Sequence, residues 1–130
     1  DYALLIDGKT VGTYTHVALA QGVELQGNDR TPQYAQAMAV AMLNKEKNEE
    51  VVNPLRDLWS RMKGAWYQQK GRGEEDDEES VQDRKRRYDE WIAEFPGKVD
   101  ALLEKIREYD DKIYAINTPK SHTYRLANVD

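Results

Sequence analysis

The segment QYAQAMAVAMLNKEKNEEVVNPLRDLWSRMKGAW, residues 33–66, decides the fold of this chain. Mostly apolar residues recur in it at alternating spacings of four and three residues, the repeat of a helix that packs along a second helix. The positions of this repeat, called here the seam, are Tyr34, Met38, Ala41, Lys45, Asn48, Val52, Leu55, Trp59, Met62 and Trp66.

Two seam positions, Lys45 and Asn48, are polar. Either they set the register and the choice of partner, with Lys45 reaching Glu104 or Glu108, or the seam is loosely packed and hydrated there.

A second repeat with the same spacing lies in the later part of the chain. Its positions are Tyr88, Ile92, Phe95, Val99, Leu102, Ile106, Tyr109 and Ile113. Two such repeats predict an antiparallel, coiled-coil-like helical hairpin with helices over 32–70 and 81–116 and an acidic, glycine-containing tip over 71–80. The expected register places Trp59 opposite Ile92 and Val52 opposite Val99.

Two prolines fall at the same level of this hairpin. Pro54 and Pro96 each remove one helical hydrogen bond, so we expect a shared hinge there, with Gly97 contributing to it. The alternative is that Phe95, Pro96 and Gly97 form a loop, which would divide the second helix and give three helices.

The two ends of the chain predict a small antiparallel β base. Residues 1–28 read as β: an apolar run, YALLI, precedes the turn signal Asp7-Gly8, and VGTYTHVALA then alternates. Asp29 or Thr31 is the expected N-cap of the first helix, with Pro32 at its first position. Residues 121–129 alternate as a C-terminal strand. The predicted fold is therefore α+β, with a single domain over 1–130.

Composition limits the classes of function. The 130 residues are 33% charged with a net charge of −5, which argues against a nucleic-acid or membrane-surface binder. There is no cysteine and no apolar run long enough for a membrane span. We expect a soluble protein, either cytoplasmic or particle-associated. The chain starts at Asp1 rather than Met, which indicates a processed or truncated start.

The acidic run Glu74–Glu79 is interpreted as a solvated tip, because consecutive acids point in different directions and do not converge on a metal. Ser80, followed by Asp83, is the expected N-cap of the second helix. The pairs Glu46/Glu49 and Glu74/Asp77 support a weaker alternative, a Mg²⁺-dependent helical NTP pyrophosphohydrolase. His16 and His122 fall on predicted neighbouring strands, but no third zinc ligand is evident.

The basic segment Arg84–Arg87 supports a second function class. With Tyr88 and Trp91 it has the composition of a phosphate contact, although the neighbouring acids oppose its field. The alternative function is therefore a small nucleic-acid-associated or regulatory factor.

The aromatic residues near the tip favour a different function. They are Trp59, Trp66, Tyr67, Tyr88 and Trp91. A two-helix hairpin cannot bury three tryptophans by itself, so these side chains predict a protein interface. The leading hypothesis is a non-enzymatic structural or interaction protein without a cofactor. Its hairpin would self-associate or dock in a larger assembly, such as a virus particle or another macromolecular machine.

Overall fold

The computed structural model describes residues 1–69 and 77–129. The elements in chain order are β1 (Tyr2–Ile6), β2 (Lys9–Tyr14), α1 (His16–Gln21), α2 (Pro32–Lys47), a π-helical turn (Asn48–Val52), α3 (Asn53–Gln69), α4 (Glu78–Ile116) and β3 (Tyr124–Asn128). The predicted α+β fold with a helical hairpin is confirmed. Two compact units are present: a sheet unit, Asp1–Leu43 with Lys112–Asp130, and a helical unit, Asn44–Asp111.

The sheet unit contains a three-stranded antiparallel sheet in the order β2-β1-β3. Asp7 (φ 51°) and Gly8 (φ 79°) make the turn between β1 and β2, and both have the positive φ that a tight hairpin turn needs. The C-terminal strand pairs with β1 as predicted, with Tyr2 opposite Asn128, although it covers five residues rather than nine. The amide of Val129 donates to the carbonyl of Asp1 at 3.1 Å, beside the end of this ladder.

A bulge in β2 shapes the small core beneath the sheet. Leu4 pairs with Gly12 and Leu5 with Thr10, so Val11 is the extra residue. The side chain of Val11 is buried, as are those of Ala3 and Ile6 in β1. Its carbonyl accepts a 2.8 Å hydrogen bond from the Asn28 side chain, which ties the segment before α2 to the sheet.

The predicted long strand ends early, because residues 16–21 form helix α1. Thr15 is its N-cap: the Thr15 hydroxyl accepts a 3.2 Å hydrogen bond from the Ala18 amide. Alanine and leucine favour a helix in this stretch, and Gly22 (φ 93°) ends it. His16 therefore lies on a helix rather than on a strand, and residues 1–28 are not wholly β.

The start of α2 follows the sequence expectation. The Thr31 hydroxyl accepts a 3.2 Å hydrogen bond from the Tyr34 amide and donates to the Asn28 carbonyl at 2.8 Å. Thr31 is buried, and its hydroxyl both donates and accepts a hydrogen bond. Pro32 occupies the first helical position, where its missing N–H costs nothing.

The first long helix is not one regular helix over 32–70. A π-helical turn interrupts it just before Pro54, and the amide of Asn53 bonds the carbonyl of Asn48, five residues back. Pro54 has no N–H with which to bond the Glu50 carbonyl, so the regular pattern is broken at this level in any case. The turn inserts one residue into the repeat and rotates the face that is buried.

The second helix is continuous from Glu78 to Ile116 and contains Pro96 in its interior. The loop over Phe95, Pro96 and Gly97, and with it the three-helix alternative, is wrong. The helix begins three residues earlier than predicted, because its cap is Asp77 rather than Ser80: the Ser80 amide donates to Asp77 Oδ1 at 2.7 Å. Residues 71–76 of the expected tip lie outside the described residues, and 77–80 belong to this cap and helix.

The repeat predicted the buried positions of the second helix better than those of the first. All eight predicted positions in α4 are buried or half-buried. Before Pro54, the first helix matches the repeat at Tyr34 and Val52, which are half-buried. The other predicted positions there are exposed: Met38, Ala41, Lys45 and Asn48. Residues between them are buried or half-buried instead, among them Val40, Leu43, Lys47 and Val51.

Candidate functional site

The polar pair inside the helical unit is Lys47 with Asp110. Lys47 Nζ lies 2.8 Å from Asp110 Oδ1, and the two side chains are 20% and 41% exposed. The predicted specificity residue Lys45 pairs instead with Glu49 of its own chain segment at 3.8 Å, where both side chains are mostly exposed. Sequence reasoning missed Lys47 because the repeat was counted without the inserted residue of the π-helical turn.

A second polar contact joins the π-helical turn to α4. The Tyr109 hydroxyl donates to Glu50 Oε2 at 2.7 Å. This hydrogen bond to the carboxylate raises the pKa of Tyr109 to about 12. Together with the Lys47–Asp110 pair, it fixes the π-helical turn against one turn of α4.

The centre of the helical unit is aromatic. Phe95 is buried, and the ring of Trp59 meets it edge-on with centroids 4.8 Å apart. Trp91 contacts the same ring at 5.2 Å. This aromatic partner of Trp59 lies three residues past Ile92, the residue that the sequence predicted opposite Trp59.

Two tryptophans form what we call the tryptophan flank, Trp59 and Trp66. They are 48% and 38% exposed, and seven residues of α-helix place them on the same side of α3. Trp66 meets the ring of Tyr67 edge-on at 4.9 Å. Large apolar area is therefore open to solvent along one side of the hairpin.

A groove of about 870 Å³ is lined by residues of both α3 and α4, and it is called here the arginine groove. Its lining residues are Arg61, Gly64, Ala65, Tyr67, Gln68, Gln69, Arg84, Arg87, Tyr88 and Trp91. The five aromatic residues predicted as one interface are therefore divided. Tyr67, Tyr88 and Trp91 line the groove, whereas Trp59 and Trp66 form the flank.

The predicted basic segment contributes two of the three arginines in the groove. Arg84 and Arg87 line it, and Arg61 of α3 joins them. Arg87 also contacts Asp83 at 3.0 Å, and Arg86 bonds the same carboxylate. The sequence did not reveal Arg61, because bringing it to this segment depends on the register between the helices.

The carboxylate of Asp77 lies at the start of α4. The amide and hydroxyl of Ser80 lower the pKa of Asp77, and the charge of Arg84 adds to this effect. Asp77 thus stabilises the helix start through the first-turn amides.

Within residues 1–69 and 77–129, no group of three or more His, Asp or Glu side chains is placed to hold a metal ion. Glu46 and Glu49 lie on α2 and the π-helical turn, and Glu49 pairs with Lys45. Glu74 of the second proposed Mg²⁺ pair lies outside the described residues. His122 bonds Asp7, with 2.7 Å between Nδ1 and Oδ2.

No protein-family model, curated protein or solved structure matches this chain.

Across the described stretches 1–69 and 77–129, none of the helices combines the length and apolarity that crossing a membrane requires.

Proposed function

We propose that this chain is a non-enzymatic interaction protein whose helical hairpin associates with a second copy, alone or within a larger assembly, through the tryptophan flank. The observation that carries the proposal is the exposure of Trp59 and Trp66 on one side of α3. Tryptophan is the residue type most enriched at the energetic centres of protein interfaces.

The small buried core of the helical unit supports this proposal. Among the described residues of that unit, only Val51 and Phe95 are buried apolar side chains. Burying one large apolar side chain contributes roughly 1.5–3 kcal/mol. Covering the exposed tryptophans in an interface would therefore add a contribution of the same size.

A second copy is the simplest occupant of the flank. Two identical flanks related by a two-fold axis present the same apolar residues to each other, as in most soluble homodimers. Leu103 and Val81 of α4 are also more than a third exposed, so the helical unit has further apolar area to contribute.

The test is the mass of the purified chain in solution, measured by light scattering over a range of concentrations. We expect an oligomer that Trp66→Lys converts to a single chain. The matched control is Tyr114→Lys, because Tyr114 is a 74% exposed aromatic residue in the sheet unit. A single-chain mass for the unmodified protein at every concentration would contradict self-association.

A further inference from the structure

The arginine groove has a chemistry that the tryptophan flank lacks. Three arginine residues line it, and they come from both helices: Arg61 from α3, and Arg84 and Arg87 from α4. Guanidinium groups bind phosphate oxygens through two parallel hydrogen bonds, and they stay charged at any ordinary pH. The groove is therefore suited to an anion.

The local charge supports this reading. None of the residues that line the groove is acidic, in a chain whose net charge is −5. The nearby carboxylate of Asp83 is shared by Arg86 and Arg87, so one negative charge faces two positive ones. Asp77 interacts with Arg84 from the start of α4, at the end of the groove.

The groove also offers planar apolar surface. Tyr67, Tyr88 and Trp91 line it beside the arginines, and Gln68 and Gln69 supply amide donors and acceptors. Aromatic rings stack on nucleobases, and side-chain amides pair with base edges. A simple anion would use only the arginines, whereas a phosphate attached to an aromatic base would use every kind of lining residue.

The size of the groove and the surrounding charges favour a compact ligand. Its volume of about 870 Å³ lies within the usual range for small-molecule sites. A long polyanion that continued toward the start of α4 would meet Asp77, Glu78 and Glu79. We propose that the arginine groove binds a nucleoside phosphate, with its phosphate on Arg61, Arg84 and Arg87 and its base against Tyr88 or Trp91.

The first test is calorimetric titration of the full chain with AMP and ADP. We expect ADP to bind more tightly than AMP, and adenosine or inorganic phosphate alone to bind more weakly than either. Arg61→Ala should weaken ADP binding about ten-fold or more, the usual effect of losing one charge-assisted hydrogen bond. The control Arg107→Ala removes an arginine that pairs with Glu104 outside the groove, and it should leave binding unchanged.

A second variant fills the groove. A side chain added at Gly64 meets no atom within 4 Å at its Cβ, so Gly64→Phe projects into open space. We expect binding to be lost while the helical circular dichroism signal is retained. Equal ADP affinity in the unmodified, Arg61→Ala and Gly64→Phe chains, or no binding of ADP at millimolar concentration, would overturn the proposal.

Two other results would overturn the proposal by assigning a different ligand to the groove. Tighter binding of a ten-residue oligothymidylate than of ADP would indicate a polynucleotide site, and tighter binding of an acidic peptide would indicate a protein site. The proposal does not depend on self-association. A Trp66→Lys chain that is monomeric and still binds ADP would separate the two surfaces.

Discussion

Lys47 and Asp110 are joined across the hairpin by a 2.8 Å ion pair, and the Lys47 side chain is only 20% exposed. The pair lies next to the π-helical turn, at the level where the two helices must agree in register. A charged group held this far from water depends on its partner, because leaving it unpaired costs more than the pair itself contributes. The pair therefore disfavours any register that separates the two residues.

We expect Asp110→Ala to destabilise the helical unit by about 1–2 kcal/mol, since it leaves the Lys47 charge half-buried and unpaired. The matched control is Glu94→Ala, which breaks an exposed 2.7 Å pair with Lys98 on one helix and should cost about 0.3–0.5 kcal/mol. Urea unfolding of both variants gives the comparison. Equal losses would contradict a special role for the Lys47–Asp110 pair.

Stability should fall at alkaline pH through Tyr109. Its hydrogen bond to Glu50 raises the pKa of Tyr109 to about 12 from an ordinary 10.0. A group whose pKa is raised on folding contributes fully below the ordinary value and loses that contribution as the pH rises through the folded value. Tyr109→Phe should be less stable than the unmodified protein at pH 8, and this difference should shrink between pH 10 and 12. The control Tyr114→Phe should show no such change in thermal unfolding.

Stability of the sheet unit should fall at acidic pH through Asp7. The Thr123 amide at 2.9 Å and the His122 side chain hold the pKa of Asp7 below its ordinary 3.8. A lowered pKa contributes above the ordinary value and is lost as the pH falls through the folded value. Asp7→Asn, which tolerates the positive φ, should lower the melting temperature at pH 6 but make little difference at pH 2. Asp29→Asn serves as the exposed control, and an identical pH profile for both variants would count against this role.

The glycines of the two helices distinguish a hinge from ordinary helix. Neither Gly64 nor Gly97 has an atom within 4 Å of an added Cβ, so alanine fits at both. Gly64→Ala should stabilise the protein by about 0.5–1 kcal/mol, because alanine loses less backbone entropy in a helix. We expect Gly97→Ala to stabilise it less, because the predicted hinge uses the freedom of that glycine. Chemical denaturation measures both gains. A clearly smaller gain at Gly97 than at Gly64 would support the predicted hinge around Pro54, Pro96 and Gly97, and equal gains would leave glycine there without a special role.

Features that depend on neighbouring residues alone could be predicted from the sequence. The Asp7-Gly8 turn, the Thr31 cap and the α4 seam follow from short-range chemistry, and all three are present. In α2 the repeat misplaced Met38, Ala41 and Lys45, because the π-helical turn adds one residue that counting through residues 48–52 conceals.

Of the two candidate sites, one could be predicted from the sequence and the other could not. The exposure of Trp59 and Trp66 could be expected, because two helices offer too little area to cover three tryptophans. The arginine groove could not be located, because Arg61 meets the Arg84–Arg87 segment only through the observed packing of α3 on α4. For residues 16–21, alternation outweighed a Thr15 cap and alanine-rich composition that already indicated a helix.

The hydrogen bond from Val129 to Asp1 places residues 1 and 129 side by side, where the central strand β1 begins and β3 ends. Two positions that meet in this way can be bridged by a short linker, so new termini could be opened in a surface loop between them. Whatever chain is attached before residue 1 and after residue 129 would leave the sheet from neighbouring points.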